Sequence, residues 1–272
     1  MTDLFSVNGG LSFTVSLREF GSQDKGVSPK GTQDQLSFMT AYNLLKKPSS
    51  FQAVEMIYPS KIKANRDLLV VICGASYERI ETDSQNIPYN RVCKLSKGEN
   101  LEFKGTKKGF RTIILAIAFE SDLQQLTGRK RSEKLDEFVN LNYQNNFIRV
   151  IKGPEYFILK DNVFFDESWE ISPNSSQMGL PLNGPSLDTQ RIEMISQPVS
   201  DGTVQLSPGG LIVLMRHRQT VGGYPIVVNV IEPDISKLAQ FAPGTKFRFK
   251  LVELNEAFDI MNDLKKVIYS SI

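Results

Sequence analysis

One histidine, two cysteines and one tryptophan among 272 residues leave little material for the commonest metal-binding sets. A lone imidazole excludes a His-rich site, and no cluster of His, Cys and carboxylate has ligand spacing, so no metal is expected. Cys73 and Cys93 are too few and too far apart for a metal knuckle or a CxxC redox pair, and both fall in strand-like runs, where buried free thiols are the plain reading. Long apolar runs are missing too: the longest, Ile113 to Phe119, is far short of the roughly 20 residues a membrane helix needs. The start, Met1-Thr2-Asp3-Leu4, has neither the charged n-region nor the apolar h-region of a secretory signal, so a cytoplasmic protein is expected. Nor is there an excess of one charge sign, with Lys+Arg 32 against Asp+Glu 30. The clusters Lys104-Gly-Thr-Lys107-Lys108, read as a hairpin tip, and Arg129-Lys130-Arg131, read as a solvated helix start, are not interleaved with aromatics. Neither nucleic acid nor a membrane is an expected partner. Self-contained catalytic signatures are absent as well: GxSxG, HExxH, GxxxxGK[ST] and GxGxxG after a strand.

What is present is a succession of short Val-, Ile- and Phe-rich segments parted by Gly, Pro, Asn or Ser turns, which predicts a mainly β protein with a few helices. Predicted strands are 11–17, 68–73, 100–103, 112–119, 147–151, 211–215, 226–231 and 246–251. Asp34 can cap a helix running to Lys47, with Phe38, Ala41, Tyr42 and Leu45 on one face and Pro48 as the stop. A second helix is expected after Asn255, with Ala257, Ile260, Met261, Leu264 and Ile268 aligned. The stretch 123–143 is polar and weakly helical, and the strand pattern restarts at Phe147. This places a boundary between a smaller β-rich domain, residues 1–145, and a turn-dense domain, residues 146–272, that reads as a barrel.

Three polar, glycine-bearing stretches remain. Gly26-Val-Ser-Pro-Lys-Gly31-Thr-Gln-Asp34 leads into a helix whose N-terminus could hold an anion, or is a turn with an Asp cap. Ser172-Pro-Asn-Ser-Ser-Gln-Met-Gly179 could line a cleft through Ser175 and Gln177, or is a loop satisfying its own backbone. In the third, Arg216-His-Arg-Gln-Thr-Val-Gly-Gly-Tyr-Pro225, the glycines can take positive φ and let the backbone approach a ligand, or simply form a hairpin turn. A hairpin tip needs only about two to five residues, so the hydrogen-bonding groups packed ahead of Gly222 exceed what a tip requires.

In order, these stretches resemble the KipA-like family, which comprises the C subunit of 5-oxoprolinase, allophanate hydrolase subunit 2 and part of the carboxyltransferase region of urea carboxylase. GVSPKGTQD (26–34) is similar to GVPPSGAxD, ISPNSSQMGLPLNGP (171–185) to VSPxSDRMGxRLxG, SDGTVQLSPGG (200–210) to PGAVQVPPDG, and RQTVGGYP (218–225) to DxQTTGGYP. Gly153-Pro154 and LAQFAPGTKFRF (238–249) continue the resemblance almost to the C-terminus. Departures are equally specific. The early TVQDxGRxG is not recognisable in residues 14–21, Gln177 and Pro181 stand where the family has arginines, and His217 stands where it has an acid.

The resemblance implies a cyclophilin-like β-barrel in the C-terminal half. It implies the C subunit of 5-oxoprolinase, which together with an A subunit, and with a KipI-like B subunit, opens the lactam of 5-oxoproline to glutamate with ATP as co-substrate and no covalently bound cofactor. On that reading His217 handles protons, the Gln219 amide and the N–H groups of Gly222 and Gly223 bind oxygen, Tyr224 walls the cleft, and Arg218 pairs with a carboxylate or phosphate. Gly31, Asp34, Ser175 and Gln177 complete the expected substrate or anion contacts. Two other readings stay open: a component of a biotin-dependent carboxyltransferase, and a non-enzymatic antagonist of a KipI-like histidine-kinase inhibitor.

Overall fold

The computed structural model describes residues 3–160, 162–190 and 192–269. They form two compact units: the first holds the residues up to Ser16, Asp34–Asn140 and those from Lys265 on; the second holds Leu17–Gln33 and Leu141–Leu264. The main division therefore falls at 140/141, where the sequence pattern suggests 145/146. Residues 17–33, N-terminal in sequence, belong with the second unit.

In the first unit a seven-stranded sheet gathers β1 (Phe5–Asn8), β2 (Leu11–Thr14), β3 (Gln52–Tyr58), β4 (Lys61–Ala64), β5 (Leu68–Glu81), β6 (Cys93–Leu95) and β7 (Asn100–Ala118). The apolar run opening β5 is buried on both faces, which is why it lacks polar alternation. Leu68, Val70 and Ile72 face a core with Met56, Ile62 and Ile114, while Leu69, Val71 and Cys73 face another with Phe38, Ala41 and Leu115. The second core is covered by helix α1 (Gln35–Leu44), which stops short of Lys47 because Lys46 and Lys47 turn left-handed, at φ 58° and 52°.

The expected hairpin tip at 104–108 is instead mid-strand. Lys104, Thr106 and Lys108 pair with Arg79, Tyr77 and Ser76 of β5, so two predicted strands are one. Gly105 and Gly109, at φ +62° and +88°, accommodate irregular backbone inside the strand instead of closing a turn. Arg129-Lys130-Arg131 also departs from expectation: Lys130 bridges to Arg91, and helix α2 (Glu133–Tyr143) begins only after the cluster.

The second unit is a closed seven-stranded barrel built from β8 (Phe147–Lys152), β9 (Trp169–Ile171), β10 (Gly179–Asn183), β12 (Thr203–Ser207), β13 (Gly210–Leu214), β15 (Ile226–Val230) and β16 (Lys246–Leu251). A two-stranded ribbon lies beside it, formed by β11 (Gln197–Pro198) and β14 (Val221–Gly222). Pairing around the barrel is antiparallel except between β8 and β16. Alternate residues fill the interior: Ile148 and Val150, Leu211 and Val213, Val228 and Val230, Phe247 and Phe249. The short helix α3 (Val163–Asp166) adds Phe164, which stacks on Phe249 at 4.8 Å, and α4 (Glu232–Ala239) adds Ile235 and Leu238. The last helix, α5 (Leu254–Tyr269), belongs to the second unit up to Leu264 and to the first from Lys265, and of its predicted face Leu264 and Ile268 are buried. No helix among the described residues is long and apolar enough to cross a membrane.

Candidate functional site

The connection from β13 to β15 is held from both sides before it reaches the glycines. Met215 N–H donates to the Met178 carbonyl at 2.9 Å and His217 N–H to the Gln177 carbonyl at 3.2 Å, fixing this chain against the loop that precedes β10. Gln33 completes the lattice. Its side-chain amide donates to the same Gln177 carbonyl at 3.0 Å, its Oε1 accepts from Arg216 N–H at 3.1 Å, and its carbonyl accepts from Arg216 Nε at 3.2 Å. A glutamine that is 1% exposed thus joins its own stretch to two others, the loop of Gln177 and the connection that starts at Arg216.

His217 is half-buried, with Nε2 2.7 Å from the Gly31 carbonyl. A carbonyl can only accept, so the hydrogen of this pair is on Nε2, and in the neutral ring Nδ1 is the basic nitrogen. Gly31, at φ +82°, presents that carbonyl from a left-handed conformation. The contribution of Gly31 to the site is thus an oxygen aimed at the imidazole.

Beside the histidine lies a charge cluster. Asp201 Oδ2 takes Arg18 Nη2 at 2.5 Å and Arg216 Nη1 at 3.2 Å, while Oδ1 stands 3.0 Å from Arg218 Nε, an ion pair without the alignment of a hydrogen bond. Glu232, at the start of α4, accepts from Arg216 Nη2 at 2.7 Å. Arg216 is fully buried. Burial, reinforced by the charge of Arg216, pushes the Arg18 guanidinium below its ordinary value, with Asp201 and Glu232 opposing.

The glycine edge follows. Gly222 sits opposite Gln197 in the β11–β14 ribbon, and neither Gly222 nor Gly223 has positive φ. The glycine at 222 answers a different need: a Cβ there would stand 2.5 Å from Gln205 Nε2, whose amide donates to the Tyr224 carbonyl at 3.2 Å. Gly223 is less crowded, its nearest neighbour being Ser196 Oγ at 3.6 Å from an added Cβ. Tyr224 is 45% exposed and Gln219 is exposed, so both side chains are open to a ligand.

The other expected contacts act locally. Ser175 Oγ donates to the Ser172 carbonyl at 2.6 Å, and Gln177 serves the lattice through its carbonyl. Asp34 belongs to the first unit, where it is 2% exposed and caps α1 by accepting from Ser37 N–H at 3.0 Å. That helix N-terminus already holds a carboxylate of its own. Sequence reasoning passes over Gln33, Asp201, Gln205 and Arg18. Gln33, Asp201 and Gln205 lie inside the family motifs, and a buried polar side chain within a motif is the available signal; Arg18 lies in none.

Among the described residues no group of three or more His, Cys, Asp and Glu could hold a metal ion. What the arrangement offers is hydrogen-bond donors, guanidinium charge and one imidazole on a rigid barrel edge. That set suits the binding of a carbonyl or carboxylate and the transfer of protons near it.

Comparison with known proteins agrees with the motif order. A family model, Carboxyltransferase domain, subdomain A and B, matches residues 25–137 and 117–251. The chain is 27% identical to the C subunit of 5-oxoprolinase from Haemophilus influenzae over 94% of its own length and 93% of that protein's. It is 36% identical to the C subunit of 5-oxoprolinase from Escherichia coli over 44% of its length and 41% of the other's. The K. lactis urea amidolyase structure superposes with a TM-score of 0.86 at 16% identity, covering 98% of this chain and 20% of that one, a likeness of fold. With the motif order, the closed barrel and a match reaching across both units, the chain belongs to the carboxyltransferase-domain family of subdomains A and B, the KipA-like proteins.

Proposed function

We propose that this chain is the C subunit of an ATP-dependent 5-oxoprolinase, opening the lactam of 5-oxoproline to glutamate together with A and B subunits, in the cytoplasm. The observation that carries this reading is the near full-length likeness to the C subunit of a 5-oxoprolinase, 94% of one chain against 93% of the other. The composition of the site supports it. A lactam carbonyl is a poor electrophile. Its phosphorylation by ATP would create a leaving group, and hydrolysis then needs donors for the developing oxyanion and a proton carrier. On this reading the Gln219 amide and the N–H of Gly223 take the first task, while Gly222 pairs with Gln197 in the ribbon. His217, oriented through Nε2 by Gly31, leaves Nδ1 for the second. Tyr224 supplies a half-exposed wall. No single chain need hold the whole site, which accords with the lack of a self-contained catalytic signature.

The test is ATP-dependent glutamate release from 5-oxoproline by this chain with its cognate A and B subunits, each omitted in turn. Activity that vanishes without this chain is the expected result. Full activity of the other two alone, or none from the assembled three, would overturn the assignment and favour the regulatory reading.

A further inference from the structure

We propose that the guanidinium groups of Arg18 and Arg218, both seated on the Asp201 carboxylate, form a binding site for an oxyanion: a carboxylate or a phosphoryl group. Three guanidiniums, those of Arg18, Arg216 and Arg218, face two carboxylates, Asp201 and Glu232, and the ion pair of Glu232 is with Arg216. The cluster therefore carries one positive charge in excess. Its members are well enclosed: the side chains of Arg216, Arg218, Asp201 and Arg18 are 0%, 7%, 8% and 13% exposed. An uncompensated cation at that depth is costly, and a bound anion relieves it.

The donors are arranged for such a ligand. Arg18 is tied back through Nε to the Lys30 carbonyl at 3.2 Å and through Nη2 to Asp201; Arg218 is tied back through Nη1 to the Gln219 carbonyl at 2.9 Å and through Nε to Asp201. That leaves Arg18 Nη1 and Arg218 Nη2 with no hydrogen bond among the described residues, and neither is sealed from solvent. These two NH2 groups, on guanidiniums that share the Asp201 carboxylate, are the donors an oxyanion would take while Nε and the other Nη stay anchored. Phe20, 67% exposed, stacks beneath Arg18 at 4.9 Å and offers an apolar shelf beside the charge. A cluster serving only to tie residues 17–33 to the barrel would have no need of the surplus cation or of the two spare donors.

The site does not depend on the lactam reading, and its test uses the full chain alone. Nitrogen-detected NMR of the arginine side chains, with inorganic phosphate, 5-oxoproline and the neutral 5-oxoprolinamide titrated separately, reads the ligand directly on the unaltered protein. The Nε–H signals of Arg18 and Arg218 are expected to shift saturably with an oxyanion and not with the amide. A response to 5-oxoproline over phosphate identifies a carboxylate, and the reverse a phosphoryl group. Arg18→Gln and Arg218→Gln should each weaken binding about tenfold to a hundredfold, as loss of a charge-assisted hydrogen bond does. Glu232→Gln, which raises the surplus charge, should tighten it. Signals of Arg18 and Arg218 unmoved by all three probes, or equal response to the neutral amide, would overturn the proposal. Saturable binding here with no glutamate release from the assembled three chains would sink the lactam reading and leave this site standing.

Discussion

The amide of Gln205 reaches the Tyr224 carbonyl at 3.2 Å across the point where Gly222 has no side chain. Gln205 rises from β12 of the barrel and is 2% exposed, so a rigid strand holds the exit of the glycine edge in place. The two halves of that arrangement require each other. A methyl group at 222 would stand 2.5 Å from Gln205 Nε2 and would have to push it off Tyr224.

Gly222→Ala is therefore expected to lower stability by about 1–2 kcal/mol, the loss of one partly buried hydrogen bond with its donor displaced. Gly223→Ala, whose Cβ meets nothing nearer than Ser196 Oγ at 3.6 Å, should change it by less than about 0.5 kcal/mol. Urea titration of both variants decides. Equal effects would mean that the pair is kept for backbone freedom, which the absence of positive φ at either position argues against.

Asp34 is a cap first. It accepts from Ser37 N–H at 3.0 Å and from Ser37 Oγ at 2.5 Å, and its charge, after that of Glu55, opposes the burial that pushes Arg111 below its ordinary value. Asp34→Ala should cost about 2 kcal/mol, the upper range for a lost cap, and Asp34→Asn, which can still cap, about half that. In the assembled enzyme Asp34→Asn is expected to leave KM for 5-oxoproline unchanged. A several-fold rise in KM at intact stability would return Asp34 to the substrate.

These residues show what the sequence carried and what it hid. Barrel strands such as β15 and β16 were legible because each is a short apolar segment closed by Gly or Pro turns, and the motif order identified the family. The stretch 104–108 reads as a hairpin tip because Gly105 and Gly109 look like turn residues, and only the pairing of Lys104 with Arg79 reveals them as irregularities inside one long strand. The strand β3, QAVEMIY, escapes the strand pattern because its buried Glu55 interrupts an apolar run; Glu55 is matched by Arg111, 56 residues on in the sequence, at 3.7 Å. The charge cluster was hidden for the same reason. Arg18, Asp201 and Arg216 are neighbours only after folding, and no local pattern marks an ion pair of that sequence separation.

Cys73 gives a pH signature. Complete burial pushes its thiol up to about 12, well above the ~8.5 of an unfolded cysteine. The unfolded chain therefore loses its proton first. This contribution is fully present below about pH 8.5 and is lost as pH rises toward 12, with a slope of at most about 1.4 kcal/mol per pH unit. Urea denaturation from pH 7 to 10.5 should show stability falling, and Cys73→Ala should flatten the fall by up to that slope. Tyr77 and Tyr89, whose hydroxyls burial also pushes up, act in the same direction, so the difference between the two proteins isolates the thiol. Identical slopes would mean that Cys73 ionises as readily folded as unfolded.

His217 carries the sharpest catalytic prediction, because its structural and chemical tasks use different nitrogens. The Nε2 side holds the Gly31 carbonyl at 2.7 Å, a task that a glutamine amide can also perform, whereas the basic Nδ1 has no counterpart in glutamine. His217→Gln should thus keep stability within about 1 kcal/mol, the scale of one neutral hydrogen bond. In the glutamate-release assay with all three chains it should lower kcat by about a hundredfold or more with KM little changed, as loss of a proton carrier does, and remove one limb of the pH–rate profile. His217→Asp, which restores the family's residue, places an acceptor opposite the Gly31 carbonyl and should cost stability while retaining a group able to take a proton. If His217→Gln keeps full kcat and an unchanged pH profile, the imidazole is only a tie to Gly31, and proton transfer belongs to another chain of the complex.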